Sequence, residues 1–180
     1  MSPARASAVA LVVLLLSAGV AQAKSAEQID AETDTALATL DEKLPGSREF
    51  VDRAKGVLVF PEVIEAGLFI GGEYGEGALR INGETVDYYN TVAGSFGFQL
   101  GAQAKTVVIA FLTQEALDKF RASSGWEAGV DGSIAIIEAG AGASFDTTMT
   151  NAPIAGFVIG RRGLMVDVSL QGAKFSKIKR

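Results

Sequence analysis

The chain has 180 residues, 48% of them hydrophobic, with 16 Lys and Arg against 21 Asp and Glu for a net charge of −5. It contains no Cys and no His. Disulfides, the Ser-His-Asp and Cys-His nucleophile systems and nearly every zinc site are thereby excluded, as is the one side chain that titrates near neutrality when unperturbed.

Residues 1–23 have the make-up of a secretory signal peptide. Arg5 supplies the positive start, Ala8 to Leu16 an apolar run, and Ala21-Gln22-Ala23 a small-x-small cleavage site. The run is shorter than the about 20 residues a membrane span takes, and no Cys follows it for lipid attachment. Cleavage after Ala23 is expected to leave residues 24–180 as a single exported, periplasmic domain, not a lipoprotein, long enough to bury its own core. Charge is uneven in that product: residues 151–180 hold Arg161, Arg162, Lys174, Lys177, Lys179 and Arg180 against Asp167 alone, so the remainder is strongly acidic. An acidic body with a basic end argues against general nucleic-acid binding, which takes an extended basic face.

Residues 25–44 read as a helix. Ser25 and Gln28 fit a capping box, while Ile29, Ala36, Leu37, Leu40 and Leu44 keep helical spacing. Its acidic polar face favours packing on a core over membrane insertion, which selects Lys and Arg. After Pro45-Gly46, Ser47 is expected to cap a second helix through Lys55, with Phe50, Val51 and Ala54 inward and Gly56 as its stop. The period then becomes that of strands. Val57 to Phe60 is a buried strand stopped by Pro61; Leu68 to Ile81 and Thr85 to Thr91 flank Asn82-Gly83, a type I′ hairpin signal. Phe96 to Ala104 alternates, and Val107 to Leu112 is continuously apolar. Thr113 is expected to cap a third helix through Ala122 with Leu117 and Phe120 inward, followed by strands near 128–137, 142–149, 154–160, 164–170 and 172–178.

Glycine recurs within these strands, at 67, 71, 72, 75, 77, 94, 97 and 101. Because strand glycine loses backbone entropy and packs nothing, so many predict close backbone approach, bulges or tight curvature. The expected fold class is α+β: a Gly-rich antiparallel β-barrel or sandwich packed with two N-terminal helices and one inserted helix.

The candidate chemical motifs weaken on inspection. The segment Gly71-Gly72-Glu73-Tyr74-Gly75-Glu76-Gly77 is followed by a strand and a hairpin, whereas a phosphate loop must open a helix. Glu73 and Glu76 differ by an odd number, so a regular strand sends them to opposite faces and they make no glycosidase-like pair. Asp131 and Glu138 read likewise as solvated charge; an oxygen-only calcium site stays open, although no loop has the Asp/Asn spacing of an EF-hand. No catalytic residue, metal or other cofactor is expected. The tail Lys174 to Arg180 alternates, with Lys174, Ser176 and Ile178 on one side and Phe175, Lys177 and Lys179 on the other. It suits either an anionic lipid surface or a lysine-protected edge strand. Trp126, alone of its kind, suits either a core or an interface.

The residues that carry a resemblance are Arg53-Ala54-Lys55-Gly56-Val57-Leu58-Val59-Phe60-Pro61, Ala66-Gly67-Leu68-Phe69-Ile70-Gly71-Gly72 and Tyr74-Gly75-Glu76-Gly77-Ala78-Leu79. Further blocks are Gly94-Ser95-Phe96-Gly97, Gln99-Leu100-Gly101-Ala102-Gln103, Phe111-Leu112-Thr113, and Gly163-Leu164-Met165-Val166-Asp167-Val168-Ser169-Leu170-Gln171-Gly172. In this order the chain resembles the lipid-binding SYLF domain family from about residue 26 to 178. The resemblance implies a non-enzymatic module associated with lipid or the cell envelope. The expected partner is an anionic lipid or membrane surface, met through Arg161, Arg162, Lys174, Lys177, Lys179 and Arg180 with Phe175 as an apolar anchor. The alternative is a protein-interaction or structural module of the bacterial envelope, presenting Tyr88, Tyr89 and Trp126 to an envelope protein. Nucleic acid is not an expected partner. Nor is actin, which fungal members bind and an exported bacterial protein would not meet.

Overall fold

A computed structural model describes residues 23–67, 70–96, 101–137, 152–160, 163–164 and 169–180. Helix α1 spans Ala26–Lys43, where the Ser25 hydroxyl accepts from the Gln28 amide at 3.2 Å, and Lys43 closes its last turn. Helix α2 spans Ser47–Arg53. Its N-cap is Gly46 at φ 93°, not Ser47, which is the first helical residue and is buried, its hydroxyl without a hydrogen-bond partner among the described residues. Gly56 likewise opens a strand and does not stop the helix.

Strands β1 (Gly56–Gly67), β2 (Ile70–Ile81), β3 (Glu84–Phe96) and β4 (Gly101–Phe111) precede helix α3 (Gln114–Ala122), and β5 (Trp126–Glu127), β6 (Ala135–Ile136), β7 (Ile154–Gly160), β8 (Gly163–Leu164) and β9 (Lys174–Ile178) follow it. They form one curled, barrel-like mixed sheet in the order β5-β9-β3-β2-β1-β4-β7-β6, with β8 on β7. The β6–β7 pair is parallel and the other pairs antiparallel. Asn82 and Gly83 both take positive φ, 53° and 82°, so the β2–β3 hairpin has the backbone that a type I′ turn requires. Thr113 caps α3 through a 3.2 Å bond from the Ala116 amide, and Leu117 and Phe120 are buried. The strand expected at 142–149 lies outside the described residues, as do most of 164–170 and part of Phe96 to Ala104.

Pro61 does not end β1. Val59 pairs with Ala78 and Glu62 with Glu76 on one side, while Phe60 pairs with Val107 and Val63 with Lys105 on the other. The central strand therefore carries one extra residue against both neighbours, a bulge at Pro61. Proline suits this position because its missing N–H falls where the ladder is already interrupted. Its carbonyl accepts from Thr106 Oγ1 at 2.8 Å. The bulge shifts the alternation by one: Val59 and Glu62 share a face although three residues apart, and Val63 joins Phe60 on the other.

Two cores result, one on each face. On the first, α1 and α2 cover the near ends of the strands with Leu40, Leu44 and Phe50 against Val57, Val59, Val108 and Phe157. On the second, α3 and the residues flanking β9 cover Leu58, Phe60, Val63, Leu79 and Ile109. Phe120 sits at the centre of the second core, with ring centroids 4.8 Å from Phe111, 4.9 Å from Tyr89 and 5.8 Å from Trp126. Each such pair adds about 0.5–1.5 kcal/mol beyond area burial.

Gly77 lies opposite the bulge. A Cβ there would stand 2.1 Å from the Val59 carbonyl oxygen and 2.8 Å from Phe60 Cδ1, backbone and packed ring that cannot both yield. At exposed Gly94 a Cβ would meet nothing within 4 Å. Gly77→Ala is expected to cost about 3 kcal/mol or more and Gly94→Ala less than about 1 kcal/mol, as read from urea denaturation midpoints at equal m values.

Candidate functional site

The expected basic tail is largely committed inside the fold. Strand β9 pairs with β3 along Tyr88↔Ile178 to Val92↔Lys174, so its alternation is set by β3. Phe175 points into the second core, 2% exposed, with its ring 5.5 Å from Phe60 and 5.9 Å from Trp126. It is therefore a core residue and not an apolar anchor. Lys177 pairs with Asp87, which also takes Arg121 at 3.2 Å. Arg180 pairs with the buried Glu76. Lys174 and Lys179 are exposed and make no ion pair among the described residues. Arg161 and Arg162 lie outside the described residues.

The alternative surface is also largely withdrawn. Trp126 is 4% exposed and Tyr89 1%. Tyr88 is partly buried and donates to Asp30 Oδ2 on α1 at 2.9 Å, beside Thr85, whose hydroxyl donates to Asp30 Oδ1 at 2.7 Å. Arg80 completes this junction, bonding the Asp30 carbonyl at 3.1 Å and Asp34 Oδ1 at 2.6 Å. Together these groups fasten α1 to β2 and β3. Glu73 and Glu76 do face opposite ways: Glu73 pairs with Lys105 at 2.7 Å, Glu76 with Arg180. Among the described residues no group of acidic side chains could hold a metal ion.

What the fold exposes instead is an apolar stretch on the α1 face, beyond the bulge. The pairings Ala104↔Ile64, Ile64↔Tyr74, Tyr74↔Val92 and Val92↔Lys174 make a single row across β4, β1, β2, β3 and β9. Ile64, Tyr74 and Val92 are 46%, 48% and 50% exposed, and Ile70, two alternations further along β2, is 74% exposed. Between them the same face carries Ala66, Gly72 and Gly94, so the surface is smooth as well as apolar. Lys174 follows on β9, and its own partner on β5 is Glu127. Helix α1 cannot cover this area: it packs on the near ends of β1 and β2, and past Pro61 the sheet continues without it. Apolar residues grouped this way, unlike scattered ones, mark an interaction surface. The sequence signal was the same-parity set Ile64, Ala66, Ile70, Gly72 and Tyr74, hidden because the bulge changes which parity faces α1.

Tyr74 lies on this face and Tyr88 at the α1 junction, while Tyr89 is buried in the second core. Burial, and then the Asp30 carboxylate, raise the Tyr88 phenol above its ordinary value; burial and then Glu76 raise Tyr74. Burial, with Asp87 adding, pushes Tyr89 up to about 12. A phenol whose pKa is higher folded than unfolded contributes stability that is complete below about pH 10 and is lost as pH rises through the folded value. Stability should therefore decline between about pH 10 and 12, with Tyr89 ionising only as the fold opens. Absorbance titration at 295 nm beside circular dichroism checks this.

A family model described as "Ysc84: Las17-binding protein actin regulator" matches residues 92–180. That span begins on β3 at Val92 and includes β4, α3, β7 and β9. No curated protein matches the chain.

Proposed function

Because the chain belongs to the SYLF family, we propose that it is a non-enzymatic exported module that associates peripherally with membrane lipid. The observation that carries this reading is the exposed apolar row Ile64, Tyr74 and Val92, with Ile70 beside it and Lys174 following on β9. The family places the chain among binding modules; lipid as the ligand is our reading of that surface. Burying one large apolar side chain contributes about 1.5–3 kcal/mol, and each cation near an anionic surface about 1 kcal/mol. With Lys177 and Arg180 paired internally, apolar contact outweighs charge, and Lys174 biases the face toward anionic headgroups. The family's printed description names Las17 binding and actin regulation. An exported protein does not meet that machinery, so the membrane-surface part of the reading is the part proposed for this chain.

Residues 24–180 are expected to co-sediment with vesicles containing phosphatidylglycerol and more weakly with phosphatidylcholine alone. Ile70→Asp with Val92→Asp should weaken binding at least about tenfold. Lys174→Glu should weaken it less, and that part should fade as salt shortens the screening length to about 8 Å. Val130→Asp, at an equally exposed position in the turn after β5, should change nothing. Vesicle binding that ignores Ile70 and Val92 would remove this face from the account, and absence of binding to either vesicle would transfer the face to an envelope protein partner.

A further inference from the structure

Lys24, the first residue after the expected cleavage site, lies among three carboxylates from three elements. Its Nζ is 2.5 Å from Glu32 Oε2 on α1 and 3.4 Å from Glu62 Oε2 on β1. Its backbone nitrogen donates to Glu76 Oε2 on β2 at 3.2 Å. Glu76 is 6% exposed; its Oε1 accepts the Tyr74 hydroxyl at 2.7 Å and pairs with Arg180. Residue 24 and residue 180 thus meet on one buried carboxylate.

Glu32, Glu62 and Glu76 supply three negative charges, and the Lys24 side chain and Arg180 supply two positive ones. Asn90, opposite Glu76 in the β2–β3 ladder, has a buried Oδ1 with no hydrogen-bond partner among the described residues. Glu76 is the buried member of this set: Arg180 and the Tyr74 hydroxyl take its Oε1, while its Oε2 is met among the described residues by the neutral Lys24 N–H, and an orphan acceptor beside it marks a missing donor.

We propose that the missing group is the α-ammonium of Lys24, created when the chain is cut between Ala23 and Lys24. Hydrolysis by a signal peptidase adds one water across that peptide bond. The oxygen ends on the Ala23 carboxylate, the C–N electron pair leaves with nitrogen, and both water hydrogens join the amide hydrogen to make –NH3⁺. The nitrogen that donates one neutral N–H to Glu76 then carries a charge and three donors without having to move. Charge-assisted bonds of this kind are about twice as strong as neutral ones. Ala23 is exposed and lies outside any helix or strand, so the bond is open to cleavage. Processing thereby completes the charge balance of the Glu76 socket. The chain still bearing its leader keeps an amide there and a surplus of negative charge.

The full chain should first be expressed with its leader in a bacterial host and the exported product weighed by intact mass spectrometry; it should begin at Lys24. Residues 24–180, which contain every described element, are then compared with residues 23–180, where one extra Ala moves the ammonium off the socket. The longer form should melt about 3–8 °C lower, and the gap should close in a Glu76→Gln background. Should that variant not fold, nitrogen-15 titration of the Lys24 α-amino group in residues 24–180 decides alone. Its pKa should stand above the ordinary value of about 7.7–8.0, with Glu76, Glu62, Glu32 and Tyr74 facing it beside the Lys24 and Arg180 cations. A product beginning elsewhere, equal melting of the two forms, or an ordinary α-amino pKa would overturn the proposal. None of these readouts involves lipid, so they stand apart from the vesicle experiments.

Discussion

At Pro61 the central strand carries one residue more than either neighbour, and the backbone of Gly77 lies directly against the resulting bulge. The first half of β1 is buried on both faces, as a strand between two helical covers must be. The extra residue turns the second half so that Val63 stays in the α3-side core and Ile64 faces outward on the side of α1. Without the shift, Ile64 would point into the α3-side core and Val63 to the open face. One bulge therefore determines where the sheet is packed and where it is bare. The position opposite admits no Cβ, because a side chain there would occupy the space of the Val59 carbonyl.

Charge follows the same division. In the sequence the acidic body and basic tail look like two opposed surfaces. In the fold two tail cations, Lys177 and Arg180, pair with Asp87 and Glu76 of the body, while Arg121, Lys105 and Arg80 pair within the body with Asp87, Glu73 and Asp34. Several of these carboxylates are well buried, so the pairing is required for the sheet to close and is not a surface ornament. What remains for an outside partner is an apolar face with few free cations at its margin. That combination fits shallow insertion better than attraction by charge alone.

Elements whose determinants are local were legible in the sequence. Ser25 and Thr113 are caps that act within three residues, and Asn82-Gly83 encodes its own turn. The alternation of Glu73 and Glu76 along a regular strand placed them correctly on opposite faces. Two misreadings are local, the cap given to Ser47 instead of Gly46 and the stop given to Gly56; the others involve distant partners. Pro61 reads as a stop because nothing nearby shows that a glycine 16 residues later leaves room for a bulge. Phe175 and Lys177 read as surface because the strand that receives them, β3, and the acid that pairs with Lys177, Asp87, lie more than 80 residues earlier. Tyr89 and Trp126 were read as possible contacts, yet both pack on Phe120, a residue that only tertiary structure brings between them.

On the proposed reading, the far, α1-side face of the sheet meets the membrane. The absence of native Cys makes a direct measurement straightforward. Ile70→Cys and Val130→Cys, each labelled with an environment-sensitive fluorophore, should be mixed with anionic vesicles carrying acyl-chain quenchers at graded depths. A blue shift and deep quenching are expected at position 70 and neither at position 130. Equal responses at both positions, or a response at 130 alone, would contradict it.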